Sequence, residues 1–162
     1  MKNHLSALSD LCGESAHKME EDVAEFEPTI IAFVCNWCTY TAADLAGTSR
    51  LIQPPNVRMI RMMCTGMVDP KYVIKALLEG ADAVLVSGCH PGDCHYINGN
   101  LKARRRIKLL EEILPRFGFD PRRLKMTWIG ASEGIDFAET VRGMVAEVKA
   151  LGPNEVRRQM VI

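Results

Sequence analysis

The chain predicts an α/β fold, a four-stranded parallel sheet flanked by helices, and three observations carry that prediction. Short apolar runs rich in β-branched residues alternate with segments whose apolar residues recur at helical spacing. Proline and glycine punctuate the joins between the two kinds of segment. Strand–helix alternation of this kind implies parallel strands linked by right-handed crossovers, which puts helices on both faces of the sheet.

Residues 1–28 come first and read as an acidic N-terminal extension. They hold seven acids (Asp10, Glu14, Glu20, Glu21, Asp22, Glu25 and Glu27) and two lysines, a net charge of −5, while the rest of the chain carries +5. Leu5, Leu8 and Leu11 are spaced like one face of a short helix, the pattern of a tail that packs on its own domain or on a partner. A protein-docking arm and a solvated leader fit this asymmetry about equally well. The domain itself is expected over residues 29–152. Its first strand is Thr29–Val34, followed by a helix over Thr41–Leu51 that Pro54-Pro55 ends. A second buried strand, Val57–Met63, leads to a helix over Pro70–Glu79 that Asp69-Pro70 opens and Gly80 closes. The third strand is Ala83–Ser87. The third helix, Asn100–Leu114, has Leu101, Ile107, Leu110 and Leu114 as its buried stripe, and Phe117-Gly118-Phe119-Asp120-Pro121 breaks it. The fourth strand, Lys125–Ile129, precedes a helix over Glu133–Leu151, with Ser132 as N-cap and Glu133 and Asp136 complementing the dipole. Gly152-Pro153 stops that helix, and residues 153–162 read as a C-terminal tail. Four such strands suggest the flavodoxin-like order 2-1-3-4.

A length of 162 residues is enough to bury a core without disulfide staples. No apolar stretch approaches the roughly 20 residues of a membrane span, and the N-terminus lacks the basic-then-apolar pattern of a signal peptide. A cytoplasmic location with no membrane partner is therefore expected.

Six cysteines are present, Cys12, Cys35, Cys38, Cys64, Cys89 and Cys94. In a cytosolic protein such spacing points to metal or redox chemistry rather than a disulfide framework. Cys35, Cys64 and Cys89 end the first three predicted strands, Cys38 opens the first helix, and Cys94 lies in the loop after Cys89. In the order 2-1-3-4 those three strands are neighbours. Five thiols therefore converge on the crevice where open α/β sheets hold ligands. An iron–sulfur cluster needs four thiolates. Cys35-x-x-Cys38, Cys89-x4-Cys94 and Cys64 supply five candidates, and the sequence does not say which one is spare. The glycines of Ser87-Gly-Cys-His-Pro-Gly-Asp-Cys-His95 allow close backbone approach, so that N–H groups can reach sulfur.

Rival chemistries account for the same residues less fully. One strand-end cysteine alone would read as a small buried hydrophobe, but five together do not. Zinc also uses four thiolates and a CxxC spacing, and would make the chain a structural adaptor of a redox complex. Cys35-Asn-Trp-Cys38 could be a thioredoxin-like dithiol, which leaves the other three thiols unexplained. No cysteine has the arginine six residues onward that a cysteine phosphatase requires, and no GxGxxG or Walker pattern is present. His90 and His95 flank the last cysteines, as metal ligands or, more in keeping with so many thiols, as hydrogen-bond donors to sulfur. The third helix carries Lys102, Arg104, Arg105, Arg106 and Lys108, a solvated face or a dock for an acidic partner beside the thiols. No aromatic residues interleave with that run, which argues against nucleic acid.

Four stretches are distinctive: Val34-Cys-Asn-Trp-Cys-Thr-Tyr-Thr-Ala-Ala-Asp-Leu-Ala-Gly47, Pro54-Pro-Asn-Val-Arg58, Met63-Cys-Thr-Gly66 and Gly80-Ala-Asp-Ala-Val-Leu-Val-Ser-Gly-Cys-His-Pro-Gly-Asp-Cys-His-Tyr96. Together they make residues 29–150 closely resemble the delta subunit of methyl-viologen-reducing hydrogenase, a family best known from methanogenic archaea. The resemblance implies an electron-transfer subunit carrying a 2Fe–2S cluster, without catalysis of its own. It implies that electrons pass from a nickel–iron hydrogenase, or in some relatives a formate dehydrogenase, to the flavin subunit of heterodisulfide reductase, which bifurcates them in methanogenesis. The family's cysteines carry over onto Cys35, Cys38, Cys64, Cys89 and Cys94, and Cys12 lies outside that set.

Overall fold

The computed structural model describes residues 26–155. The rest of the acidic extension, with Leu5, Leu8, Leu11 and Cys12, and the tail from Val156 onward lie outside the described residues. Strands β1 (Ile30–Cys35), β2 (Val57–Met62), β3 (Ala83–Gly88) and β4 (Leu124–Trp128) form a wholly parallel sheet in the order β2-β1-β3-β4. Four helices flank it, α1 (Thr39–Thr48), α2 (Pro70–Leu78), α3 (Gly99–Ile113) and α4 (Gly134–Leu151). The α/β architecture and strand order expected from the sequence are those observed.

Strand alternation divides the core. Ile30, Ala32 and Val34 of β1, with Ala83 and Leu85 of β3, point to one face and meet Met144, Val145 and Val148 of α4. Beside them α1 packs on α4 through Ala42, Ala43 and Ala46, small residues that let the two helices approach closely. Phe33, Val84 and Val86 point to the other face, where Val73 and Leu77 of α2 and Ile107 and Leu110 of α3 cover them. Full burial of each Ile, Leu, Val or Phe contributes about 1.5–3 kcal/mol relative to exposure.

Several local expectations are corrected. β2 is not a buried strand: it lies at the sheet edge and four of its six residues are exposed. Arg58 and Arg61 interrupt its apolar residues, charges that blunt edge-to-edge pairing. α1 stops at Thr48, before Pro54. Arg50 adopts a left-handed φ of 56°, and Leu51 N–H donates to Ala46 O at 3.0 Å, closing the helix end. On α3 the buried stripe is Ala103, Ile107 and Leu110, continued by Leu114 in the 3-10 turn that follows, while Leu101 is exposed. Leu101 precedes Ile107 by six residues, which turns it well off the buried face at 3.6 residues per turn. α4 starts at Gly134 with no side-chain cap, and Ser132 is exposed.

The N-terminal edge of the sheet is closed by a buried polar knot. Asp82 accepts Thr29 N–H at 2.8 Å and Asn154 N–H at 3.0 Å. Asn154 donates through Nδ2 to Leu77 O and Ala81 O, each at 2.8 Å. Arg123 donates to Asp82 O at 2.9 Å and to Gly152 O at 3.0 Å. Residues just past α4 are thus packed against the domain. At the opposite edge the strands end in cysteines.

Candidate metal centre

Parallel strands of similar length end together, and here that brings thiols together. Cys35 is the last residue of β1, and Cys89 directly follows β3. Cys64 lies two residues past β2, where its sulfur accepts Gly66 N–H at 3.4 Å in a single 3-10 turn. Cys38 sits at the N-cap position of α1, and Cys94 lies in the loop between β3 and α3. All five are buried, unbridged, and form one contiguous cluster.

Cys38 Sγ lies 2.6 Å from Cys89 Sγ, and Cys35 Sγ lies 3.6 Å from it. The three sulfurs all stand within 4.8 Å of one another. Burial pushes the Cys38, Cys64 and Cys89 thiols up, Cys89 furthest because Cys38 and Cys35 crowd it as well. Burial also acts upward on Cys94, but backbone N–H groups of Asn100, Tyr96 and Gly99 and the Cys64 thiol outweigh it and bring the pKa down. Two of those N–H groups belong to the first turn of α3, whose dipole favours a thiolate.

The surrounding framework is tightly tied. Asn100 donates through Nδ2 to Cys89 O at 2.9 Å and to His90 O at 2.7 Å, pinning the cysteine loop to α3. Thr39 and Ser87 hydroxyls bond at 3.0 Å behind the sulfurs. Gly66 and Gly99 touch backbone to backbone: a Cβ on Gly66 would stand 2.9 Å from Gly99 Cα. Arg106 clamps this contact by donating to Gly66 O at 2.7 Å.

Neither histidine bonds a sulfur among the described residues, contrary to expectation. His90 Nε2 pairs with Glu133 Oε2 at 2.8 Å, and Glu133 also accepts Gly130 N–H at 2.7 Å. The Gly130 N–H first, then His90, hold the Glu133 carboxyl below its usual range. Glu133 occupies the N-cap position of α4 while its side chain bonds the loop before the helix. His95 stacks on Trp37 with ring centroids 4.0 Å apart, and Tyr96 meets His95 edge-on. Beside this aromatic stack, Met63, Met67, Tyr96 and Lys102 line a cleft of about 280 Å³ with Cys64 at its floor.

Five soft sulfur donors, no carboxylate among them, and backbone N–H groups aimed at two of them suit a thiolate-ligated iron–sulfur cluster; four-thiolate zinc would use the same donor type. The sequence reading missed Asn100, Arg106 and Glu133. Arg106 was visible only as one member of a basic run, and the partners of Asn100 and Glu133 are distant in the chain.

Known proteins add the family. The family model for the delta subunit of methyl-viologen-reducing hydrogenase matches residues 30–152. The iron-sulfur subunit of the F420-non-reducing hydrogenase of Archaeoglobus profundus is 48% identical over 134 residues, covering 83% of this chain and 98% of that protein. The iron-sulfur subunit of the vhc F420-non-reducing hydrogenase of Methanococcus voltae is 47% identical, covering 79% of this chain and 89% of its own length. A ferredoxin:CoB-CoM heterodisulfide reductase subunit of Methanosarcina mazei is 46% identical over 154 residues, 94% of this chain but only 19% of that longer protein. The chain belongs to the methyl-viologen-reducing hydrogenase delta subunit family.

Proposed function

We propose that this chain is the electron-transfer subunit of a redox complex, holding one 2Fe–2S cluster through four of Cys35, Cys38, Cys64, Cys89 and Cys94. The observation that carries the reading is the convergence of five buried thiols at one sheet edge. When bound, such a cluster accepts and donates single electrons. The protein's own groups supply the setting. The strand ends fix the sulfur positions, burial keeps water off them, and the Gly66, Tyr96, Gly99 and Asn100 N–H groups offset thiolate charge at Cys64 and Cys94. The Trp37–His95 stack and the Met63–Met67 cleft give the site an apolar mouth that a partner can cover.

The relatives support a reading of the partners. The iron-sulfur subunit relatives belong by name to a hydrogenase, and the Methanosarcina mazei relative carries a matching stretch inside a heterodisulfide reductase polypeptide. We infer that residues 29–152 pass electrons from a hydrogenase, or a formate dehydrogenase, to a heterodisulfide reductase flavin subunit in the cytoplasm, within an electron-bifurcating complex of methanogenesis. α3 presents Leu101, Arg104, Arg105 and Lys108 along one open groove for such a partner. The described residues include no helix long and apolar enough to cross a membrane.

The test is anaerobic purification with metal and acid-labile sulfide analysis. Two irons and two sulfides per chain, with visible absorption that bleaches on reduction, are expected. A colourless protein containing zinc would replace this reading with the structural adaptor.

A further inference from the structure

The face of β2 that α2 and α3 leave open forms a groove beside α2, with a volume of about 370 Å³. Ile31, Phe33, Ile60 and Tyr72 line it, and the Ile60 and Tyr72 side chains are 43% and 40% exposed. In an α/β sheet this is where a covering helix would sit, because strands of a parallel sheet are buried on both faces. Arg58, Lys75 and one acid, Glu79, flank the apolar floor. Lys75 has only an exposed pair with Glu79 at 3.5 Å, and Arg58 has no ion pair among the described residues. The groove is apolar, carries a net positive charge through Arg58, and is left open by the described residues.

The chain's own N-terminal extension matches it on four counts. Thr29 lines one end of the groove, so the preceding segment joins the domain there. Glu27 is held at the sheet edge by Asn56 Nδ2 at 2.7 Å and by Lys149 Nζ of α4 at 2.6 Å, which fixes where the segment leaves the domain. Residues 1–25 hold six acids against two lysines, opposite in sign to Arg58 and Lys75, and present Leu5, Leu8 and Leu11 at helical spacing. Reach is ample: 25 residues extend about 37 Å as a helix, and the six residues of β2 cover roughly 20 Å. The match with the Methanosarcina mazei relative covers 94% of the chain, whereas residues 29–162 make up only about 83% of it, so that match takes in more than half of residues 1–28. The segment therefore has a counterpart joined to the same kind of domain in a much longer protein.

We propose that residues 1–25 fold back over β2 of their own chain and seat the leucine face in this groove, with their carboxylates against Arg58 and Lys75. The inference does not depend on which metal the thiols hold.

Zero-length carbodiimide crosslinking of the full chain, mixing ordinary and 15N-labelled protein, tests it. The expected product joins a carboxylate of residues 10–25 to Lys75 or its neighbour Lys71, with both peptides carrying the same isotope. Mixed-isotope products would overturn the proposal in favour of a second copy in the groove, and absence of any such product at Lys71 or Lys75 would overturn it outright. Ile60→Glu puts a carboxylate on the exposed groove floor, and should lower the crosslink yield about tenfold or more while far-UV circular dichroism stays unchanged. An unchanged yield in that folded variant would equally refute the seating of the leucine face.

Discussion

Gly99→Ala isolates how closely the protein is built around its sulfurs. An alanine early in a helix ordinarily stabilises relative to glycine, by roughly 0.5–1 kcal/mol. At Gly99 the added methyl would collide with Cys64 Sγ and stand 3.4 Å from Cys94 Sγ. Neither side can retreat easily. Asn100 ties the next residue to Cys89 O and His90 O, and the Gly66 backbone already touches Gly99. Overpacking of this kind costs about 1–3 kcal/mol, which outweighs the propensity gain and reverses the sign. Relief would move Cys64 Sγ by on the order of an ångström, against a tolerance of about 0.2 Å for a metal–ligand bond. Gly47→Ala is the control, because a Cβ there meets nothing within 4 Å. The assay pairs thermal melts of metal-free protein with iron and sulfide content after anaerobic reconstitution. Gly99→Ala should melt lower by about 3–6 °C and load iron several-fold less, while Gly47→Ala should melt slightly higher and load normally. A Gly99→Ala protein as stable and as iron-rich as the parent would refute the claim that this close approach shapes the site.

Single Cys→Ser changes at 35, 38, 64, 89 and 94 should divide into four that abolish the visible spectrum and one that spares it, with Cys12→Ser silent; absorption spectra of anaerobic protein decide. Asp82→Ala removes the acceptor for two buried N–H groups and should cost about 2–4 kcal/mol, measured by urea unfolding. The basic run on α3 should split by role. Arg106→Ala loses the bond to Gly66 O and should destabilise by about 1 kcal/mol. Arg104→Ser with Arg105→Ser should leave melting unchanged but slow partner association and flatten its salt dependence, read by surface binding kinetics.

Strand order was legible because four short apolar runs alternate regularly with helices, and that order in turn brings the thiols near three strand ends together. The exposure of β2 was not legible. Val57-Arg-Met-Ile-Arg-Met62 has enough apolar residues to pass for a buried strand, and only the sheet order makes it an edge. Leu101 misled in the same way, since a leucine inside a helix reads as core until the phase set by Ala103 and Ile107 is known. His90 was expected to serve a sulfur because it adjoins Cys89, whereas its partner Glu133 comes from β4's far loop, 43 residues away. Contacts made across the chain by single polar side chains leave no periodic trace.

Asn154 also bears on the order of events during synthesis. All five converging thiols are made within the first 94 residues, but Asn154, whose N–H the Asp82 carboxylate accepts at the other edge of the sheet, is made near the end of the described chain. β3 also lacks β4, its neighbour on one side, until Leu124–Trp128 are made. A growing chain, released from its N-terminus onward, therefore presents all five cysteines before β4 and Asn154 are available to complete the sheet. Oxidants that reach the chain during translation would therefore meet these thiols before the sheet that gathers them is complete.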